Sequence, residues 1–196
     1  MDLANRINQA FEDSAQIKLQ TRAALVQPIA EAAQAVVACL LRDGKILSCG
    51  NGGSAADAQQ FTAKLMNQFE TDRPGLAAIA LTENTSVLTA IANDHDFNQI
   101  FSRQIRALGM AGDMLLVIST SGNSLNLAEA ILAAHERNME IIAITGREGG
   151  AIGEMLRAED IHICVNAQST ARIQEVQLLA MHCLCDSIDY LLMGGE

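Results

Sequence analysis

Apolar residues at the amino end of the chain recur at helical spacing, with polar residues between them. This pattern predicts an amphipathic helix whose apolar side needs a partner surface. Pro28 stands where a second helix can begin, and an Ala-rich run continues that helix until Asp43 and Gly44 end it. We therefore expect helices over residues 1–43, ahead of the main fold. The apolar positions of the first helix are Leu3, Ile7, Phe11 and Ile17.

From residue 45 onward, short apolar runs alternate with helical stretches, which is typical of βα units. The runs cover residues 45–49, 76–81, 114–119, 140–145 and 161–165. Strands that are apolar nearly throughout belong to a parallel sheet covered on both faces. The pattern predicts an α/β, three-layer fold with a five-stranded parallel sheet, closed by a long helix over Thr170–Met193. Without an internal repeat or linker, we expect one domain over residues 1–196, with its α/β core over 44–196.

Composition narrows the class of protein. A chain of 196 residues with 49% hydrophobic residues can bury a core unaided. The net charge of -10, the lack of a Lys/Arg cluster and an aromatic content of 3% argue against direct nucleic-acid binding. Five cysteines without a CxxC pair indicate reduced thiols, and no apolar stretch reaches the roughly 18 residues of a membrane span. We therefore expect a cytoplasmic protein, without membrane contact, whose terminal helices pack against further copies of the chain.

The first predicted strand ends in the segment SCGNGGS, residues 48–54, and a helix follows. Its glycines allow a tight turn and a close approach of the backbone, and Ser54 and Asp57 have the spacing of a capping box. The loop lacks the lysine of a Walker loop and does not match GxGxxG. It is either an anion cradle or a plain turn between strand and helix, and this segment alone favours neither.

The third strand runs into ISTSGNS, residues 118–124, which places four hydroxyls around a glycine at the start of a helix. Hydroxyls and free backbone amides at a helix start converge on one small tetrahedral anion, so we expect this loop to bind phosphate. A further pair, Asn93 and Asp94, either binds sugar hydroxyls or caps a helix that begins near Phe97, and capping is the simpler interpretation.

Together, CGNGGS and STSGNS resemble the sugar isomerase (SIS) domain family of phosphosugar isomerases and phosphosugar-binding regulators. The match extends through residues 69–81, 88–109 and 171–175. The resemblance implies a flavodoxin-like sheet, a homotetramer and ligand sites shared between subunits. It also implies contacts to a sugar phosphate from Asn51, Gly52, Gly53, Ser54, Asn93, Asp94, Ser119, Thr120, Ser121, Ser124 and Gln174.

Isomerases of this family hold a divalent metal ion, usually zinc. Their ligands are a His and a Glu four residues apart on the helix after CGNGGS, and a Gln and a His eight apart on the last helix. The resemblance places Gln174 and His182 at the second pair of positions, but Gln60 and Lys64 at the first. Residues four apart share a helix face and can converge on an ion, yet an amide is a poor zinc ligand and an ammonium cannot ligate. We therefore expect no metal ion and no other cofactor, and zinc only if the chain is a working isomerase.

Aldose–ketose isomerisation requires a base that moves a proton between adjacent carbons, and an acid or metal ion that stabilises the enediolate. The resemblance implies that the proton carriers are the Glu of the first helix and the His of the last, of which only His182 remains. If the chain is active, His182 and Gln174 are its catalytic residues. Otherwise His182 is a hydrogen-bonded interface residue. Lys64 can supply fixed positive charge, but one proton carrier is still missing.

Two functions follow from the substitutions at Gln60 and Lys64. In the favoured one, the chain resembles the DnaA initiator-associating protein. Such a tetramer binds a phosphosugar, bridges copies of the replication initiator DnaA, and touches DNA only through that partner. In the alternative, the chain is a sedoheptulose 7-phosphate isomerase that serves the synthesis of lipopolysaccharide heptose. The chemistry of the metal positions favours the first hypothesis, and the similarity elsewhere favours the second.

Overall fold

A five-stranded parallel sheet forms the centre of the molecule, in a computed structural model that describes residues 2–194. The strand order is β2-β1-β3-β4-β5, which is the flavodoxin-like order. All the predicted strand segments are present, and the α/β prediction is confirmed. The strands are β1 Ile46–Gly50, β2 Ala78–Ala80, β3 Met114–Ser119, β4 Glu140–Gly146 and β5 Ile161–Val165.

Helices cover both faces of the sheet, because the apolar side chains of each strand alternate between two cores. Ile46 and Leu116 face the core beneath α1, α2 and α7, whereas Leu47 and Leu115 face the core beneath α4 and α5. The three-layer prediction is therefore confirmed. The helices are α1 Leu3–Leu40, α2 Gly53–Met66, α3 Thr85–Asp94, α4 Ser102–Leu108, α5 Leu125–Glu136, α6 Gly150–Met155 and α7 Thr170–Met193, with a short 3-10 helix at Phe97–Gln99.

The amino end forms one continuous helix, not two. Pro28 lies inside α1 and does not begin a new helix, so that prediction is wrong. Proline removes one helical hydrogen bond, but the buried residues on either side of it, Leu25 and Ile29, pack on the same core. This shared packing keeps the helix continuous through the proline, since tertiary burial outweighs local preference. The first apolar positions, Leu3 and Phe11 among them, remain exposed.

Two helices, α1 and α7, are long and apolar enough to span a membrane by length and composition. Each contains an 18-residue segment that is apolar on average and carries at most two charged side chains. The expectation that no stretch of the chain has this property is therefore wrong. Both helices nevertheless contribute fully buried residues to the core beneath the sheet, such as Ala33 and Leu184. Core helices of soluble proteins have the same length and composition, so α1 and α7 are weak evidence for a membrane.

Candidate functional site

The loop after β1 leads directly into α2 and is shaped by its glycines. Gly52 precedes the first residue of the helix with φ 57° and ψ -119°, a conformation that residues with a Cβ rarely adopt. The capping-box prediction is wrong, because the capping position is Gly52. Ser54 lies inside the first turn of α2 and is buried. The turn leaves the Ser54 side chain pointing inward, beneath the carboxyl ends of the strands.

The loop after β3 is held in place by its own hydrogen bonds. The Ser119 hydroxyl accepts from the Gly122 backbone N–H at 3.1 Å, and the Asn123 side chain accepts from the Ala151 N–H at 3.0 Å. Ser124 is the residue before α5, and its hydroxyl makes no capping hydrogen bond within residues 2–194. A Ser at this position ordinarily caps the helix. The Ser124 hydroxyl is therefore available for another partner.

The two loops meet at one small cavity of about 60 Å³. An amide pair ties them together, because Asn51 and the buried Asn126 exchange hydrogen bonds of 2.9 and 2.8 Å. The sequence did not single out Asn126, and its only signal was a polar residue on the buried side of α5. Hydroxyls at the starts of two helices can surround a tetrahedral anion. The cavity is lined by Asn51, Ser54, Ile118, Ser119, Thr120, Ser121, Ser124 and Leu127.

The predicted pair Asn93 and Asp94 lies elsewhere. These residues form the last turn of α3 and do not lie in a loop, and both are exposed. The Asn93 amide donates to the Asp94 carboxylate at 2.8 Å. The cap of the following 3-10 helix is Asp96, which accepts from the Asn98 N–H at 2.7 Å, so the capping interpretation is also wrong. The sequence predicts a loop over residues 90–94, but this whole segment is the second half of α3.

The last helix, α7, approaches the first loop. A Cβ added to Gly53 would lie 2.6 Å from the side-chain nitrogen of Gln174, so the Gln174 amide lies directly against the first loop. Further along α7, the ring of His182 lies 5.6 Å from that of Phe69, measured between centroids. The Nε2 atom of His182 is buried and has no hydrogen-bond partner among residues 2–194. An unpaired buried nitrogen is costly, which indicates a site for a further group.

The residues at the implied metal positions do not fit a divalent ion. Gln60 is exposed, and the Lys64 ammonium lies 5.0 Å from the Phe69 ring centroid. Zinc binds imidazole, thiolate and carboxylate, and a protonated amine has no lone pair to offer. Within the described part of the chain, no three His, Cys, Asp or Glu side chains cluster closely enough to hold a metal ion. Of the four positions, His182 alone carries a good zinc ligand.

A buried ion pair, which the sequence did not reveal, joins the end of α2 to α7. Arg73 Nε donates to Asp189 Oδ1 at 2.5 Å, and both side chains are almost fully buried. The same guanidinium donates to the backbone carbonyls of Lys64 and Leu65 at 3.0 and 2.8 Å. Arg73 therefore caps the carboxyl end of α2 and holds it against α7.

Comparison with known proteins identifies the family. A profile described as "SIS domain" matches residues 10–146, more than half of the chain. The chain belongs to the SIS domain family. This SIS-domain protein is 63% identical over 196 residues to a protein named phosphoheptose isomerase from Aromatoleum aromaticum, covering 100% of this chain and 99% of the relative. A protein of the same name from an Azoarcus species is 62% identical, with 100% of both chains covered. The structure of a phosphoheptose isomerase from Neisseria gonorrhoeae superimposes with a TM-score of 0.92 at 51% identity, over 96% of this chain and 99% of that one.

These relatives place the SIS-domain protein in the phosphoheptose isomerase subfamily and correct the functional hypothesis. The favoured hypothesis, a regulator resembling the DnaA initiator-associating protein, is wrong, because full-length relatives bear the isomerase name instead. That hypothesis rested on chemistry missing at Gln60 and Lys64. The absence of two ligands does not identify a different function, whereas the similarity extends over every element of the fold. The alternative hypothesis is the one that the comparisons support.

Proposed function

We propose that this SIS-domain protein is a cytoplasmic sedoheptulose 7-phosphate isomerase that works as a homotetramer. The observation that carries the proposal is the hydroxyl-lined cavity between the loops after β1 and β3. The relatives named phosphoheptose isomerase support the sugar phosphate as substrate. The exposed apolar residues along α1 and α7, such as Phe11 and Leu179, support the association of subunits, because apolar side chains are better buried.

In this proposal the cavity binds the phosphate of the substrate. Ser119, Thr120, Ser121 and Ser124 donate hydroxyl hydrogens, and the starts of α2 and α5 add backbone N–H groups and favourable helix dipoles. No basic side chain lines this cavity among the residues that the structure describes. Hydrogen bonds and dipoles therefore provide the recognition, which explains how a chain with a net charge of -10 can hold an anion.

The reacting end of the sugar then extends along α7. Gln174 and His182 stand eight positions apart on this helix, about 12 Å along its axis at 1.5 Å per residue. A seven-carbon sugar with its phosphate at one end and its reacting carbons at the other suits such an elongated site. Gln174, beside Gly53, orients the sugar hydroxyls, and the unpaired Nε2 of His182 moves the proton between the first two carbons.

The test is turnover of sedoheptulose 7-phosphate, followed by the appearance of the aldose product. We expect the wild type to be active and His182→Gln to lose at least about 100-fold in kcat, the usual contribution of a general base. His162→Gln is the matched control. His162 is also a half-buried histidine, but it lies on β5, where it contacts Thr145 of β4. A wild-type protein that makes no aldose product, with or without zinc, would refute the proposed function.

A further inference from the structure

The ammonium of Lys64 is held beside the proposed catalytic end of the site. Lys64 is half-buried near the end of α2, and its Nζ lies 5.0 Å from the centroid of the Phe69 ring. A cation at this distance from an aromatic ring is attracted to it. The backbone carbonyl of Lys64 also accepts a hydrogen bond from the buried Arg73. The backbone of this residue is therefore held by Arg73, and its charge is attracted to the Phe69 ring.

The positive charge faces α7. The Phe69 ring that contacts Lys64 also lies 5.6 Å from the His182 ring, so one aromatic side chain neighbours both groups. A second sign comes from Cys185, one turn beyond His182. Burial raises the pKa of the Cys185 thiol to about 12, and the Lys64 charge opposes that rise. The ammonium thus acts on the same segment of α7 that carries the unpaired Nε2 of His182.

We propose that Lys64 replaces the divalent cation in this chain, so that the site between α2 and α7 stabilises the enediolate without binding metal. This inference rests on the proposed function. An ammonium at this place provides the charge that a metal ion would provide, and it repels a cation that approaches.

Lys64 also supplies the missing proton carrier. His182 Nε2 removes a proton from C1 of the ketose, and the Lys64 ammonium stabilises the negative charge that develops on O2. Lys64 then gives O2 a proton, which completes the enediol. His182 then returns its proton to C2 as the Lys64 amine takes the proton of O1. One proton has moved from C1 to C2 and one from O1 to O2. Both side chains end in their starting states, and no oxidant or metal ion is consumed.

The first experiment measures metal binding directly. Wild-type protein and the double variant Gln60→His with Lys64→Glu are dialysed against zinc, and the bound metal is measured by mass spectrometry. We expect far less than one zinc per chain in the wild type. The double variant restores imidazole and carboxylate ligands on one face of α2, and it should bind about one zinc per chain. Stoichiometric zinc in the wild type, or none in the double variant, overturns the proposal.

The second experiment measures turnover in the presence of a chelator. Wild-type activity should be unchanged by EDTA, and Lys64→Met should lower kcat about 100-fold while KM changes less than about threefold. Lys64→Arg, which keeps the charge, should retain more activity than Lys64→Met. Lys18→Met is the matched control, because Lys18 contacts Ser14 on α1.

The two proposals fail in different ways. A wild type that is active but is silenced by EDTA contradicts the role of Lys64 and leaves the isomerase function standing. Equal activity of Lys64→Met and the wild type also contradicts the role of Lys64. A wild type that is inactive under every condition refutes the isomerase function, and the zinc measurement still decides whether the site excludes metal. Thermal unfolding of each variant shows whether it is folded.

Discussion

The buried pair of Arg73 and Asp189 offers the sharpest test of how the site is assembled. The change Asp189→Asn keeps the shape of the side chain and removes its charge. It leaves the guanidinium of Arg73 at 1% exposure without its carboxylate. We expect this substitution to loosen the end of α2 from α7, because Arg73 joins Asp189 to the carbonyls of Lys64 and Leu65.

The magnitude follows from the burial of the pair. Breaking a buried ion pair by removing one partner costs about 3–5 kcal/mol. Arg73 keeps its bonds to two carbonyls in the variant, so we expect about 3 kcal/mol, at the low end of that range. For a chain of 196 residues, each kcal/mol lowers Tm by about 2–4 °C, which predicts a fall of about 6–12 °C.

Thermal and urea unfolding at one fixed protein concentration measure this effect, because self-association also shifts Tm. The matched control is Glu136→Gln in the exposed pair with Arg106, whose atoms lie 2.8 Å apart. Solvent screens that pair, so its loss should change Tm little. The double variant Arg73→Met with Asp189→Leu should be less destabilised than the sum of its single variants. An Asp189→Asn protein within about 0.5 kcal/mol of the wild type, as for an ordinary surface substitution, contradicts this reasoning.

Three further predictions concern single groups. Ser124→Ala should raise the Kd for a sugar phosphate about tenfold, measured by calorimetry, and leave Tm unchanged because this hydroxyl does not cap α5 in the described structure. Burial lowers the pKa of His162 from 6.5, so the unfolded chain gains a proton first as the pH falls, and stability should drop as the pH goes below about 6.5. His162→Gln should lack that part of the drop in unfolding experiments, and an equal drop contradicts the assignment. Burial raises the pKa of Cys39 to about 11 and of Cys185 to about 12, so neither thiol should react with a thiol reagent near pH 8 before denaturation. Modification of either in the folded protein would show that it is accessible.

The sequence was sufficient for the sheet, the last helix and the two loops that meet at the cavity. Strands buried on both faces appear as continuous apolar runs, and the segment 114–119 was predicted with the bounds that β3 has. The carboxyl ends of parallel strands meet at one edge of the sheet, so the loops after β1 and β3 had to be neighbours. The shared cavity between them follows from this rule together with the strand order.

Only the tertiary structure decided which distant side chains meet. Arg73 and Asp189 are 116 positions apart, and Asn51 and Asn126 are 75 apart, so no local periodicity could pair them. The continuity of α1 through Pro28 was likewise decided by packing. A sequence pattern reports which side of a helix or strand is apolar, because burial repeats with the local geometry. Which polar groups share a buried space depends on how the sheet orders its strands and helices, and that order is a property of the whole chain.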